Sequence, residues 1–245
     1  MSYARDASRL TGFLETWLQE HVAQAGAKGI AVGLSGGVDS AVVAALGHRL
    51  FGSEMKALIL PCHSKPEDAL DAELVAGTLG FSCETVDLTP AYNALVLGIG
   101  GADALSRLVG ANLKARLRMT VLYAVAQSCS LLVCGTSNRA EREVGYFTKF
   151  GDSASDLLPL AGLLKCEVRA VAAYLGVPER IIRKVPTAGL WEGQTDEGEL
   201  GFSYDVLDRY LATGKAEPAL QARIENLRRR SEHKRLPVPL CRPDF

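Results

Sequence analysis

The sequence predicts an α/β protein, one parallel sheet flanked by helices, folded as a single domain over residues 1–245. Three observations carry the prediction. Short apolar runs alternate with stretches of helical periodicity between Gly29 and Cys134, the order that builds a parallel sheet through helical crossovers. The 245-residue length, with 48% hydrophobic residues, suffices for one substantial core and is ordinary for a single α/β domain. A turn rich in Gly and Ser, Gly33-Leu-Ser-Gly-Gly-Val-Asp-Ser40, stands between the first apolar run and the helix after it, where open sheets place their ligand loops.

Residues 6–25 space Leu10, Phe13, Leu14, Trp17, Leu18 and Val22 three and four apart, so an amphipathic packing helix is expected. Residues 29–34 are apolar and bounded by glycine, which reads as a strand, and 39–50, rich in Ala, Val and Leu, as the next helix. A second strand is expected at 56–60, ending at Pro61. Pro66, Glu67 and Asp68 then open a helix that stops near Gly80, and a third strand follows at 83–88. Thr89 and Pro90 suit the N-cap and first position of a short helix through Leu95. Glycines at 98, 100 and 101 break the chain before a long helix over 103–127 that carries Leu105, Leu108, Leu113, Leu117 and Val121. Residues 131–134 read as a buried fourth strand. A polar loop runs from Gly135 to Asp156, and loops of that length in compact domains are functional or disordered. Helices are expected at 166–175, 178–184, 203–212 and 218–232, with a second long loop over 185–201. There is no internal repeat.

Composition excludes several function classes. Lys+Arg 27 against Asp+Glu 28 gives a net charge of -1, so no global positive field exists for non-specific nucleic-acid binding. No apolar run approaches the roughly 20 residues of a bilayer-spanning helix, and Arg5, Asp6, Arg9 and Glu15 stand where a signal peptide would be apolar; a cytoplasmic protein without membrane partners is expected. The six cysteines form no C-x-x-C pair and read as reduced thiols, and the four histidines have no zinc-ligand spacing.

The Gly33–Ser40 turn lies where helix-start amides and the helix dipole favour an anion. Its glycines let backbone approach a phosphate, Ser35 and Ser40 supply hydroxyl donors, and Asp39 is placed to hold a phosphate-bound Mg²⁺. An ordinary turn with a serine cap remains the alternative, since short glycine motifs are weak by themselves. The lysine of a Walker A loop is absent, and the glycines at 98–101 do not follow a strand as a dinucleotide fingerprint does.

The form S-G-G-x-D-S at Ser35–Ser40 resembles the PP-loop of the N-type ATP pyrophosphatases. Further along, Gly135-Thr-Ser-Asn-Arg-Ala-Glu141, Gly145-Tyr-Phe-Thr-Lys-Phe-Gly-Asp152, Asp156, Pro159 and Lys165 resemble NAD synthetase. The resemblance continues through Asn112–Met119, Pro186–Gly201, Tyr204-Asp205 and His233–Pro237, and so covers nearly the whole chain. It implies an adenine-nucleotide α-hydrolase-like, flavodoxin-type sheet and a C–N ligase of NAD biosynthesis. Mg-ATP adenylates the nicotinate carboxylate of deamido-NAD, pyrophosphate leaves, and ammonia displaces AMP. It also implies a homodimer with the dinucleotide at the interface.

By the same resemblance, ATP phosphates bind at Gly33, Leu34, Ser35, Gly36, Gly37, Val38, Asp39 and Ser40, with further ATP contacts from Thr136, Lys165 and Thr187. Mg²⁺ is held by Asp39 and Glu141. Deamido-NAD is held by Arg116, Lys149, Asp156, His233 and Lys234, and the catalytic pair is Asp39 and Lys165. Each residue taken singly also fits a solvated charge, a cap or a turn; their joint occurrence within the motifs favours the functional reading. The matched motifs run from Gly33 to Pro237 and leave no room for a glutaminase domain, so free ammonia is the expected amine donor, with a separate glutaminase subunit as an open alternative. The loops 136–156 and 185–201 are expected to act as lids, mobile without ligand, because a solvent-exposed acyl-adenylate would hydrolyse. Two rival readings are another PP-loop ligase, which needs an acceptor module or catalytic cysteines, and a nucleotide sensor that binds ATP without turning it over.

Overall fold

A computed structural model of the chain describes residues 3–187, 193 and 195–242. Strands β1 (Gly29–Gly33), β2 (Met55–Ile59), β3 (Cys83–Thr85) and β4 (Leu131–Val133) form one parallel sheet in the order β3-β2-β1-β4. Ile30 stands opposite Met55 on one side and Leu132 on the other. The chain adds β2 and β3 on one flank of β1 and then crosses to the opposite flank for β4. That reversal opens a crevice outside the carboxyl ends of β1 and β4.

The described helices are α1 (Ala7–Gln24), α2 (Val38–Phe51), α3 (Pro66–Leu79), α4 (Thr89–Gly98), α5 (Arg107–Cys129), α6 (Arg139–Val144), α7 (Lys165–Tyr174), α8 (Glu179–Ile182), α9 (Asp196–Leu200), α10 (Tyr204–Thr213) and α11 (Pro218–Arg230). Alternate strand residues serve opposite faces. Ile30, Val32, Ala57 and Ile59 pack with α1, α2, α3 and α7, while Ala31, Leu131 and Val133 pack under α5 and Leu58 packs with Leu88 and Cys62. Burial on both faces is why these strands read as continuous apolar runs instead of alternating ones. A smaller cluster of Ala140, Val144, Leu200, Tyr204, Leu207 and Ile224 joins α6, α9, α10 and α11.

Several expectations are corrected in detail. Phe13 is 66% exposed, because the buried stripe of α1 is Leu10, Leu14, Leu18 and Val22. Thr89 is not an N-cap; its hydroxyl instead accepts from the His63 N–H, and α4 runs on to Gly98. The third strand stops at Thr85, although the Val86 and Leu88 amides still donate to the Ile59 and Pro61 carbonyls as the chain bends away. Asp103 falls in a short 3-10 turn, and α5 begins at Arg107 after a Ser106 cap. The two long loops are not structureless: the first contains α6 and the second α9. Most of the second loop's motif centre, residues 188–192 with Trp191 among them, lies outside the described residues.

Candidate active site

Three helices begin at the carboxyl edge of the sheet, and the first turn of each sends a charged side chain to a common point: Asp39 on α2, Glu141 on α6 and Lys165 on α7. The carboxylates at these helix starts sit favourably against the dipole. Glu141 is positioned by an N-x-x-E capping box, in which the Asn138 side chain accepts from the Glu141 N–H at 3.1 Å and Glu141 accepts from the Asn138 N–H at 3.2 Å. The buried Asn138 amide then donates to Glu141 Oε1 at 2.7 Å and across the crevice to Asp39 Oδ1 at 2.9 Å.

Lys165 is 2% exposed. Its Nζ contacts Asp39 Oδ2 and lies 3.6 Å from Glu141 Oε1, and it sits 4.9 Å from the centre of the Tyr204 ring. A cation at a helix start opposes the dipole, and the buried Asp208 carboxylate compensates by accepting the Lys165 and Cys166 N–H groups at 3.0 and 2.8 Å. Burial would push the Lys165 ammonium down, but the Asp39 and Glu141 charges outweigh it and hold the pKa above the ordinary lysine value. Burial, reinforced by the Asp39 charge, holds the Glu141 carboxyl above the usual carboxylate range, and the Lys165 ammonium works against that rise. The Tyr204 hydroxyl donates to Asp196 Oδ2 at 3.0 Å and lies 3.4 Å from Glu141 Oε1, which ties α9 to the same group.

The PP-loop is internally braced. The Ser35 N–H and Ser35 hydroxyl both reach Ser40 Oγ, at 3.2 and 3.0 Å, Ser40 Oγ donates to the Gly37 carbonyl at 3.0 Å, and the Gly37 N–H donates to Ser35 Oγ at 3.3 Å. The first-turn amides of α2 at Val38, Asp39 and Ser40 have no intrahelical acceptor and are available to an anion. Gly36 has φ +74°, and a Cβ there would lie 2.5 Å from the Asp68 carbonyl oxygen, so only glycine lets the loop lie on α3.

A cavity of about 490 Å³ opens over this edge. Gly33, Leu34, Ser35, Gly37, Val38, Asp39, Ser40, Thr136, Glu141, Lys165, Thr187 and Lys234 all line it, whereas Gly36 supports it from behind. Arg116, Lys149, Asp156 and His233 are not in its wall. Arg116 donates to the Lys149 carbonyl at 3.3 Å and the Lys149 ammonium to the His233 carbonyl at 2.6 Å, which makes a strip outside the cavity. Asp156 is engaged by protein donors: its oxygens accept from the Val133 N–H at 2.7 Å and the Tyr123 hydroxyl at 3.1 Å, and burial together with this carboxylate pushes the Tyr123 phenol to about 12. Lys234 binds the Gly145 and Phe147 carbonyls at 2.9 and 2.8 Å.

Asn138, Tyr204, Asp196 and Asp208 are the site residues that motif roles left unassigned. The Asn138–Glu141 spacing is a capping-box signature and could have signalled the first; the others are brought in by long-range packing. Among the described residues no group of three or more His, Cys, Asp or Glu side chains forms a metal cluster. Asp39 and Glu141 beside a phosphate loop do suit Mg²⁺, a hard cation that takes one or two carboxylates and completes its shell with phosphates and water.

Comparison with known proteins bears on this arrangement. The family profile described as NAD synthase matches residues 11–238. An NH(3)-dependent NAD(+) synthetase of Carboxydothermus hydrogenoformans is 49% identical over 231 residues, spanning 93% of this chain and 95% of the relative. The Pyrococcus horikoshii protein of the same name is 44% identical over 89% of this chain and 90% of its own. Among solved structures, an NMN synthetase from Francisella tularensis superposes with a TM-score of 0.91 at 38% identity, covering 98% of this chain and 100% of that one. An NH3-dependent NAD synthetase from Campylobacter jejuni gives 0.80 at 28% identity, with the same coverage. With a profile match over most of its length and relatives far above 30% identity, the chain belongs to the NAD synthase family.

Proposed function

We propose that this protein is a Mg-dependent, ammonia-using NAD synthetase, a single catalytic unit working in the cytoplasm. The observation that carries the reading is the meeting of Asp39, Glu141 and Lys165 beside a braced PP-loop in one cavity. A nicotinate carboxylate is a poor electrophile, because its charge is delocalised and its leaving group would be oxide. One carboxylate oxygen of deamido-NAD therefore attacks the α-phosphorus of ATP, the α–β anhydride breaks, and pyrophosphate departs. Ammonia then attacks the acyl carbon, AMP leaves with its bonding pair, and loss of a proton gives the amide.

The first-turn amides of α2 with Ser35 and Ser40 bind the phosphates, assisted by Thr136 and Thr187. Asp39 and Glu141 would hold Mg²⁺, which supplies charge neutralisation on the phosphates. Lys165, kept protonated by its carboxylate neighbours, stabilises negative charge as pyrophosphate departs. Tyr204 and Asp196 join the 185–201 segment to this group, which favours a lid that excludes water from the acyl-adenylate.

Free ammonia as donor is supported by relatives named NH(3)-dependent, of which this chain spans about 95%. Only the unprotonated form is nucleophilic, so at fixed total ammonium the rate is expected to climb with pH, by up to about tenfold per unit while ammonium predominates. A flat profile would indicate delivered ammonia or a different limiting step.

A homodimer accounts for the Arg116–Lys149–His233 strip outside the cavity. The exposed apolar residues Leu95, Leu97 and Ile99 at α4, with Leu108 and Val109 at the start of α5, offer a face on the helix that carries Arg116. Deamido-NAD would reach from the cavity to this strip. Sedimentation equilibrium that finds a monomer at micromolar concentration would contradict this. No described helix is long and apolar enough to cross a membrane.

The function is tested by mixing protein, ATP, Mg²⁺, ammonium and deamido-NAD and reading NAD with alcohol dehydrogenase. NAD formation above a blank is expected; none would favour the ATP-binding sensor. The likeness to an NMN synthetase favours a second reading, in which nicotinate mononucleotide is the better acceptor. A higher kcat/KM for the mononucleotide than for deamido-NAD would select it.

A further inference from the structure

On the α3 side of the PP-loop lies a charge cluster that no role above uses, and two of its members, Asp68 and Lys184, line the cavity wall. Lys184, just past α8, directs its ammonium at Asp68 Oδ1 (2.8 Å), Asp71 Oδ2 (2.7 Å) and the Gly36 carbonyl (3.4 Å). The other oxygen of Asp71 pairs with Arg180 at 2.9 Å, and the Asp71 side chain is 5% exposed. An ammonium has three donors, and all three are engaged, so this lysine is not poised as a direct phosphate ligand. Three segments meet at it: the PP-loop through Gly36, the first turns of α3 through Asp68 and Asp71, and the start of the 185–201 segment, whose Val185, Pro186 and Thr187 line the cavity.

Two carboxylates packed beside a phosphate loop, one of them in the cavity wall, would repel a triphosphate and each other. Gly36 is packed so closely on the Asp68 carbonyl that the loop has no room to move further toward α3. We propose that Lys184 is a positioning residue for ATP: by neutralising Asp68 and, together with Arg180, Asp71, and by gripping the Gly36 carbonyl, it holds the PP-loop against α3 with its amides facing the phosphates. This rests on the assignment of residues 33–40 to the ATP phosphates.

The test uses the full-length enzyme with Mg-ATP varied at saturating ammonium and deamido-NAD. Lys184→Met is expected to raise the KM for ATP about tenfold while kcat and the KM for deamido-NAD stay within about twofold, a split that general loss of structure would not give. Lys184→Arg, which keeps the charge, is expected to stay within about threefold of the parent, and adding Asp68→Asn to Lys184→Met to recover at least about threefold of the lost affinity, because the repulsion is relieved. Should Lys184→Met not fold, Lys184→Gln, a shorter neutral side chain with one amide donor pair, carries the same expectations. An unchanged KM for ATP, or a double variant worse than Lys184→Met alone, overturns the proposal. Ser40→Ala separates the two levels: if it too leaves ATP binding unchanged, the loop assignment fails, whereas if it weakens ATP and the Lys184 variants do not, only the role of Lys184 fails.

Discussion

Lys165→Ala is expected to lower kcat about 100- to 1,000-fold, a barrier increase of about 2.7–4 kcal/mol, with a much smaller change in the KM for ATP. The lysine is 2% exposed, at the first turn of α7, and no other lysine or arginine ammonium or guanidinium contacts Asp39 or Glu141 among the described residues. Its pKa lies above the ordinary value because two carboxylates outweigh burial, so it carries its charge throughout the neutral range. A charge fixed in advance in a dry site acts most strongly on the state in which negative charge is developing, hence the expected effect on kcat over binding. Steady-state kinetics that place the variant within a few-fold of the parent would remove Lys165 from the chemistry.

Asp39→Ala is expected both to abolish measurable synthesis and to cost about 3–5 kcal/mol of folding stability in the absence of nucleotide, because it leaves a buried lysine without its nearest partner. Glu141, at 3.6 Å, is too distant to replace a direct contact, and Asn138 loses one of its two acceptors. Urea denaturation monitored without ATP or Mg²⁺ reads the stability effect. An unfolding free energy within about 1 kcal/mol of the parent's would show that the Lys165 charge is not held by Asp39. The loss of activity follows separately, since the same carboxylate stands where phosphate-bound Mg²⁺ would be shared with Glu141.

Legibility of the fold followed burial. Strands β1, β2 and β4 are legible because both faces are covered and their residues, Lys56 in β2 apart, are apolar or glycine, and the proline- and glycine-marked ends of α3 match Pro66 and Gly80 closely. The sequence pattern extends the third strand past Thr85 because Val86 and Leu88 keep hydrogen bonds to Ile59 and Pro61 without continuing the ladder. Spacing of three and four admits Phe13 to a wider stripe than the one that is buried on α1.

The candidate site was legible where chemistry is written in contiguous motifs. Asp39, Glu141 and Lys165 stood in three separate motifs, and the structure brings them into contact because each opens a helix at the same sheet edge. What supports them was not legible. Asp208 reaches Lys165 across 43 residues and Lys184 reaches Gly36 across 148, separations at which no local pattern signals a partner. Arg116, Lys149 and His233 share a motif match with the cavity residues yet lie outside the cavity, on a strip where Arg116 donates to the Lys149 carbonyl and Lys149 to the His233 carbonyl.

Phosphorus NMR of a reaction making product reads directly whether ATP is opened at its inner anhydride to activate a carboxylate. AMP and pyrophosphate are expected to accumulate in step with the amidated nucleotide. ADP and orthophosphate in their place would contradict that opening.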